Sequence, residues 1–208
     1  MGHSVTEKKS CIAVRLIAVA LFSALVSACE SDGSAVAGPE YKLIVDGRSI
    51  SAGGLCDFPD MIPDCSRHDA ATPPAPFADF DAMISAFATA AQVSSVSRSQ
   101  LAGNGSASAG GGSINSGRSS FAVTFDVDSS GPAYLFGTLS AAGGQSTVEL
   151  TRDGASVVSL DSRTGMGAFD LEVMLEPGRL FELAAEAVTG TGFPQNASWQ
   201  LTFTNQQP

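Results

Sequence analysis

The chain has 208 residues, 44% of them apolar and only 15% charged, with a formal net charge of −10 at pH 7. That length holds one domain of ordinary size with flanking segments, and that apolar share buries a core, which excludes a disordered polyelectrolyte. Residues 1–28 carry Lys8, Lys9, Arg15 and Glu7, so the other 8 bases and 20 acids leave a remainder of net −12, a balance that repels phosphate backbones and excludes nucleic acid as an expected partner.

The first element is a targeting segment. Lys8 and Lys9 precede the apolar run Leu16–Val26 (LIAVALFSALV), and the small residues Ser27 and Ala28 follow. Basic, apolar and small-residue regions in that order make residues 1–28 a secretory signal peptide. The run is shorter than the roughly 20 apolar residues of a spanning helix. Val26-Ser27-Ala28-Cys29 then resembles the lipobox of bacterial lipoproteins, with Val26 where Leu is usual and Ala28 where Gly is common. The resemblance implies a diacylglycerol-modified Cys29, cleavage just before it and an acylated new N-terminus. At about 0.8 kcal/mol per buried methylene, several acyl chains hold a protein stably at a membrane. The same residues also read as an ordinary cleavage site after Ala28, leaving Cys29 a spare thiol, which is a liability in an oxidising compartment. The expected location is therefore the bacterial cell envelope, lipid-anchored, or else the periplasm or exterior. Asp after the Cys resembles an inner-membrane retention signal. Glu30 matches it less well, which tilts the expectation toward the outer membrane.

Residues 29–40, including the turn-rich ESDGSAVAGP, read as a flexible tether. Residues 41–76 read as a small segment of their own, with a strand at Tyr41–Val45 ended by Asp46-Gly47. Cys11 falls in the signal peptide and Cys29 at its cut site, leaving Cys56 and Cys65. An exported chain meets oxidant, and the expected state of this pair is a disulfide closing a short loop, a constraint of about 2–3 kcal/mol in the chain-entropy view. Asp57, Asp60, Asp64, His68 and Asp69 lie nearby, and oxygen-rich loops hold calcium. Their spacing matches no calcium loop, and Pro59 and Pro63 account for the turns, so no metal or other cofactor is expected. His68 reads as a surface residue. Thr72–Pro76 (TPPAP) is an extended connector and the expected boundary of the next domain.

Residues 77–208 carry the main fold. Phe121, Val123, Phe125 and Val127 alternate with Thr124 and Asp126; Phe169, Leu171, Val173 and Leu175 alternate with Asp170, Glu172, Met174 and Glu176. Phe181, Leu183, Ala185 and Ala187 alternate against Glu182 and Glu186, and Trp199, Leu201 and Phe203 against Gln200, Thr202 and Thr204. A period of two buries one set and solvates the other. Strand-like runs at Tyr134–Leu139, Thr147–Leu150 and Ser156–Leu160 lie between, and Asp153-Gly154 is a hairpin signal. Short strands with one apolar face each predict an all-β, two-sheet antiparallel β-sandwich, jelly-roll-like. For 77–91 the residues leave helix and strand both open. Phe77, Phe80, Ile84, Phe87 and Ala91 step by three and four as a helical stripe does, while the Ser-rich sequence that follows suits strands.

Phe80–Gly112 (FDAMISAFATAAQVSSVSRSQLAGNGSASAGGG), SSFAVTFDVDSSGPAYLFGTLSAAGG and LEPGRLFELAAEA together resemble exported β-sandwich proteins of the kind found among those with PEP-CTERM sorting signals in Gram-negative bacteria. The resemblance covers Phe80 to Thr204, and implies strands for Phe80–Ala109. It carries no site residues. The sequence ends at Pro208 without the sorting motif, and the lipobox would supply the anchor instead.

No catalytic set emerges. His68 is the one base available to the many serines, no Gly-x-Ser-x-Gly elbow occurs, and Gly110–Gly112 lacks the Lys of a phosphate loop. The pairs Asp126/Asp128 and Glu182/Glu186 fall on the solvated register, not across a cleft as glycosidase carboxylates do. Trp199 falls in the buried register. The expected function is a non-enzymatic, lipid-anchored envelope protein with a structural or adhesive role, its partners being the membrane through the lipid and a surface glycan or envelope protein. The second expectation is a carbohydrate-binding module, for which Tyr41 and Tyr134 are the amphipathic candidates; a secreted hydrolase comes third.

Overall fold

Strands dominate because the apolar residues recur at every second position and the separators are turn formers. The computed structural model describes residues 38–55, 66–110, 115–164, 167–190 and 194–207. The thirteen strands described are β1 (Tyr41–Asp46), β2 (Ser49–Leu55), β3 (Ser66–Ala71), β4 (Phe80–Ser85), β5 (Ala88–Val96), β6 (Gln100–Ala109), β7 (Ser116–Val127), β8 (Gly131–Ala142), β9 (Gln145–Arg152), β10 (Ala155–Asp161), β11 (Ala168–Leu175), β12 (Phe181–Val188) and β13 (Gln195–Thr204). A seven-stranded sheet runs β10-β9-β12-β7-β2-β3, with β1 also on β7; a six-stranded sheet runs β11-β8-β13-β6-β5-β4. All strand pairings are antiparallel. The all-β two-sheet sandwich expected from the alternation is what forms.

One open choice is settled and one expectation changes. The helical stripe at 77–91 resolves as the hairpin β4–β5, in which Met83 faces Ala91 and Ile84 faces Ala90. The separation of 41–76 from the sandwich does not hold. β1 and β2 lie end to end along β7, Tyr41 opposite Val127 and Ser49 opposite Ser120, and β3 extends the sheet beyond β2. The Pro-rich connector joins the two sheets and is no domain boundary. The sequence misled here because β2 and β3 (SISAGGL, SRHDAA) show little apolar alternation.

The sandwich has two poles. At one lie Glu40, the β5–β6 turn, the β7–β8 turn, the Asp153-Gly154 turn and Asn205. Glu40 N–H donates to Asp128 Oδ1 at 2.9 Å, Tyr41 N–H to Arg98 O at 2.6 Å, and Asn205 Nδ2 to Pro39 O at 3.0 Å. Asp153 and Gly154 have φ of 52° and 79°, the double left-handed pair that a tight hairpin needs. The end of β2, the start of β3, the end of β6 and the start of β7 lie at the opposite pole.

Phe121, Phe125, Phe181, Phe203, Trp199 and Tyr41 centre the main core. Trp199 meets Phe121 edge to face at 5.7 Å, and Tyr41 stacks on Phe203 at 5.5 Å. Gly105, opposite Trp199 in register, makes room for it: a Cβ there would lie 2.5 Å from the indole. A second, smaller cluster joins Ile50, Ala52, Phe80, Ala88, Ala90 and Ala109.

Candidate functional site

The expected site residues scatter. Cys29, Cys56 and Cys65, with Asp57, Asp60 and Asp64, lie outside the described residues. So do the signal peptide 1–28 and residues 29–37 of the tether. His68 is exposed on β3, opposite Gly53, and its neighbour Asp69 is taken by Arg67 at 2.8 Å. Among the described residues no group of three or more His, Cys, Asp or Glu side chains is placed to hold a metal. Asp126 and Asp128 bind turns: Asp126 Oδ1 accepts from Val127 and Gly178 N–H, Asp128 Oδ1 from Glu40 N–H and Ser129 Oγ. The Glu40 N–H, with Ser129, holds the Asp128 carboxyl below its ordinary range. Glu182 is exposed and Glu186 pairs with Arg118. Trp199 is core, 1% exposed.

The two tyrosines part company. Tyr41 is buried among phenylalanines, its hydroxyl without a partner, and burial pushes its pKa well above the ordinary tyrosine value. It is a core residue and offers nothing to a ligand. Tyr134 is half-buried on the outer side of β8, opposite Glu172 and Thr204.

Two constellations appear that the sequence did not announce. The first is buried. Arg48, 1% exposed, follows the Asp46-Gly47 turn and turns inward between the sheets. Its Nε and Nη2 donate to Asp46 Oδ1 and Oδ2 at 2.9 and 2.7 Å, Nη2 also to Ala78 O at 2.6 Å, and Nη1 to Ser94 Oγ at 3.1 Å. Asp46 Oδ2 further accepts from Phe77 N–H at 2.7 Å, where Phe77 has φ of 61°. Ser94 Oγ lies 3.2 Å from the Gln92 amide oxygen, in the amide orientation whose nitrogen donates to Ser120 O at 3.0 Å and Ser49 O at 3.3 Å. Burial pushes the Asp46 carboxyl up, but the hydrogen bonds from Arg48 and Phe77 outweigh it and hold the group below the ordinary carboxylate range. Every donor of this cluster that is named is spent inside the protein, so it clamps the β1–β2 corner to β5 and the connector; it takes no substrate.

The second constellation is the outer face of the six-stranded sheet. None of its six strands contains a Lys, Arg or His. Register sets one row across it as Asp81, Val93, Asn104, Gln200 and Thr138, and the next as Ser95, Ala102, Thr202, Phe136 and Asp170. Between them runs an open groove of about 500 Å³, lined by Asp81, Val93, Ser95, Asn104, Gln200 and Thr202 among others. Asp81, Asn104 and Gln200 are exposed, and no hydrogen bond or ion pair occupies their side chains among the described residues. The seven-stranded sheet is the opposite: Arg67, Arg118 and Arg152 each pair with a carboxylate.

Among the described residues no helix is long and apolar enough to cross a membrane. No protein-family model matches the chain, and no curated protein matches it.

Proposed function

We propose that this chain is a non-enzymatic, lipid-anchored protein of the bacterial cell envelope whose sandwich serves an adhesive or structural role, with Cys29 as the acylated N-terminus. The observation that carries the adhesive part is the six-stranded sheet's outer face. It is broad, lacks cations, and holds hydrogen-bonding side chains that the fold does not use. Support for the anchor comes from Val26-Ser27-Ala28-Cys29 behind its apolar run. Nine residues from Cys29 to Gly38 reach at most about 30 Å, so such an anchor would hold the sandwich close to the membrane.

Mass spectrometry of the mature N-terminus is the test, with fractionation of Cys29→Ser. The expected result is an acylated Cys29 peptide and release of the variant from membranes, or its arrest as precursor. An unmodified N-terminus on a soluble protein would remove the anchor from this reading. Deleting the gene should lower attachment of cells to surfaces or to one another.

The Cys56–Cys65 disulfide belongs to the same proposal. Leu55 and Ser66, the residues just before Cys56 and just after Cys65, are antiparallel partners, a register that favours pairing of the two thiols. Thiol alkylation of periplasmic protein without reductant should leave both unlabelled.

A further inference from the structure

We propose that the groove on the six-stranded sheet binds a neutral glycan, with Asp81, Asn104, Gln200 and Thr202 as its hydrogen-bonding residues. The inference rests on the reading of the chain as an interaction protein and names the ligand class.

The lining selects the ligand. Asn104 and Gln200 each present both a donor NH₂ and an acceptor oxygen, Thr202 and Ser95 a hydroxyl that is both, and Asp81 two acceptor oxygens. A sugar hydroxyl is also donor and acceptor, and two adjacent hydroxyls fit one carboxylate. Asp81, Val93, Asn104 and Gln200 lie on four neighbouring strands, so the row spans about 14 Å at the spacing of paired strands, the length of a short oligosaccharide. Val93, half exposed, and Ala102 supply apolar surface for sugar C–H groups between the polar side chains, and the row through Ala102 and Thr202 continues to Phe136.

Other occupants fit less well. Asp79 and Asp81 at the rim, with no cation on the sheet, disfavour acidic polysaccharide and nucleic acid. An extended peptide would need free backbone groups, and the groove floor is made by β5, β6 and β13, each paired on both sides. An apolar partner would need more than the one exposed valine.

The experiment uses the full mature protein on an array of neutral polysaccharides (glucans, mannans, xylans and galactans) with alginate and heparin as acidic counterparts. Wild type should be retained by a neutral class and not by the acidic ones, independently of salt. Asn104→Ala with Gln200→Ala should weaken retention about tenfold or more, the effect of losing one or two net hydrogen bonds. Asp81→Asn should weaken it less, and Ser108→Ala, on the same face beyond the groove, should leave it unchanged. All these side chains are exposed, and unchanged melting temperatures would confirm intact variants. Retention by no neutral glycan, or equal retention of the double variant, would overturn the proposal. The broader reading is separable. A deletion strain whose lost attachment is fully restored by the Asn104→Ala, Gln200→Ala protein would leave adhesion standing and remove the groove as its site.

Discussion

The interior of this sandwich has two unlike regions. Under β7, β8, β12 and β13 it is aromatic and branched, with Phe121, Phe125, Phe181, Phe203 and Trp199 interlocked. Under β2, β4 and β5 it is built mainly of alanines around Ile50 and Phe80. The inward side of β5 passes from one to the other through Ala88, Ala90, Gln92, Ser94 and Val96, so a polar band separates the regions. The difference is instructive. Large side chains fix position by shape, because only one arrangement fills the space. Alanines fix little by shape, and here the direction of the hydrogen bonds that Arg48 donates to Ser94 and Ala78 sets where the β1–β2 corner meets β5 and the connector.

The largest test of that contrast is Arg48→Ala. It leaves the Asp46 carboxylate buried without its cation, and the expected loss is about 3–5 kcal/mol, read as a drop in the urea midpoint. Arg48→Met together with Asp46→Leu should recover most of that loss, since it removes both charges and keeps apolar volume. If Arg48→Ala costs less than about 1 kcal/mol, the polar band does not position the corner. In the aromatic region the matching test is Leu135→Ala, fully buried, with an expected loss of about 3 kcal/mol and no recovery by any single polar change.

These two regions differ in the same way in how they read from sequence. The aromatic region is legible because β7, β11, β12 and β13 each carry a run in which apolar and polar residues alternate around large side chains. The alanine region is not: Ala88, Ala90 and Ala109 carry little hydropathy contrast, and Phe77, Phe80, Ile84 and Phe87 mimic a helical stripe by their spacing alone. Arg48 was invisible for a different reason. A lone Arg after Asp-Gly reads as a solvated turn, and only the return of Ser94 from another strand shows where it goes. The groove is a product of register between β4, β5, β6 and β13, and no single strand announces it. What could have signalled it is the absence of cations from six strands, while among the described residues the other sheet and the loops hold the cations.

Acid sharpens the contrast next. The Asp46 carboxyl sits below its ordinary range when folded, so its contribution is present above the unfolded value of about 3.9 and is lost as pH falls through the folded value. Asp128, exposed, and Asp161, paired with Arg163, are shifted in the same direction and add to the slope. Melting temperature should therefore fall as pH drops below about 4, and Asp46→Asn should lower the plateau while flattening that acid slope. An unchanged slope in Asp46→Asn would assign the acid sensitivity to the exposed carboxylates. Smaller again is Ile50→Val in the alanine region, about 1 kcal/mol, because one methyl leaves a cavity that small neighbours do not close.

The smallest expected effect comes from an ion pair whose sequence spacing equals that of Asp46–Arg48. Arg67 and Asp69 are also two residues apart, in β3 of the same sheet, and meet at 2.8 Å. Their side chains are 63% and 35% exposed, against 0% and 4% for Arg48 and Asp46. Water already solvates the exposed pair, so removing Arg67 strands no buried charge and forfeits only a screened attraction less the entropy of holding two side chains still. Arg67→Ala should change stability by about 0–1 kcal/mol, and that small change should shrink further in high salt. Arg48→Ala should keep its large cost at any ionic strength, because its partners are out of reach of counterions. Urea midpoints of both variants at low and high salt decide the matter. If Arg67→Ala cost as much as Arg48→Ala, spacing and chemistry, rather than burial, would set the worth of an ion pair in this sheet, and the polar band would lose its special place in the fold.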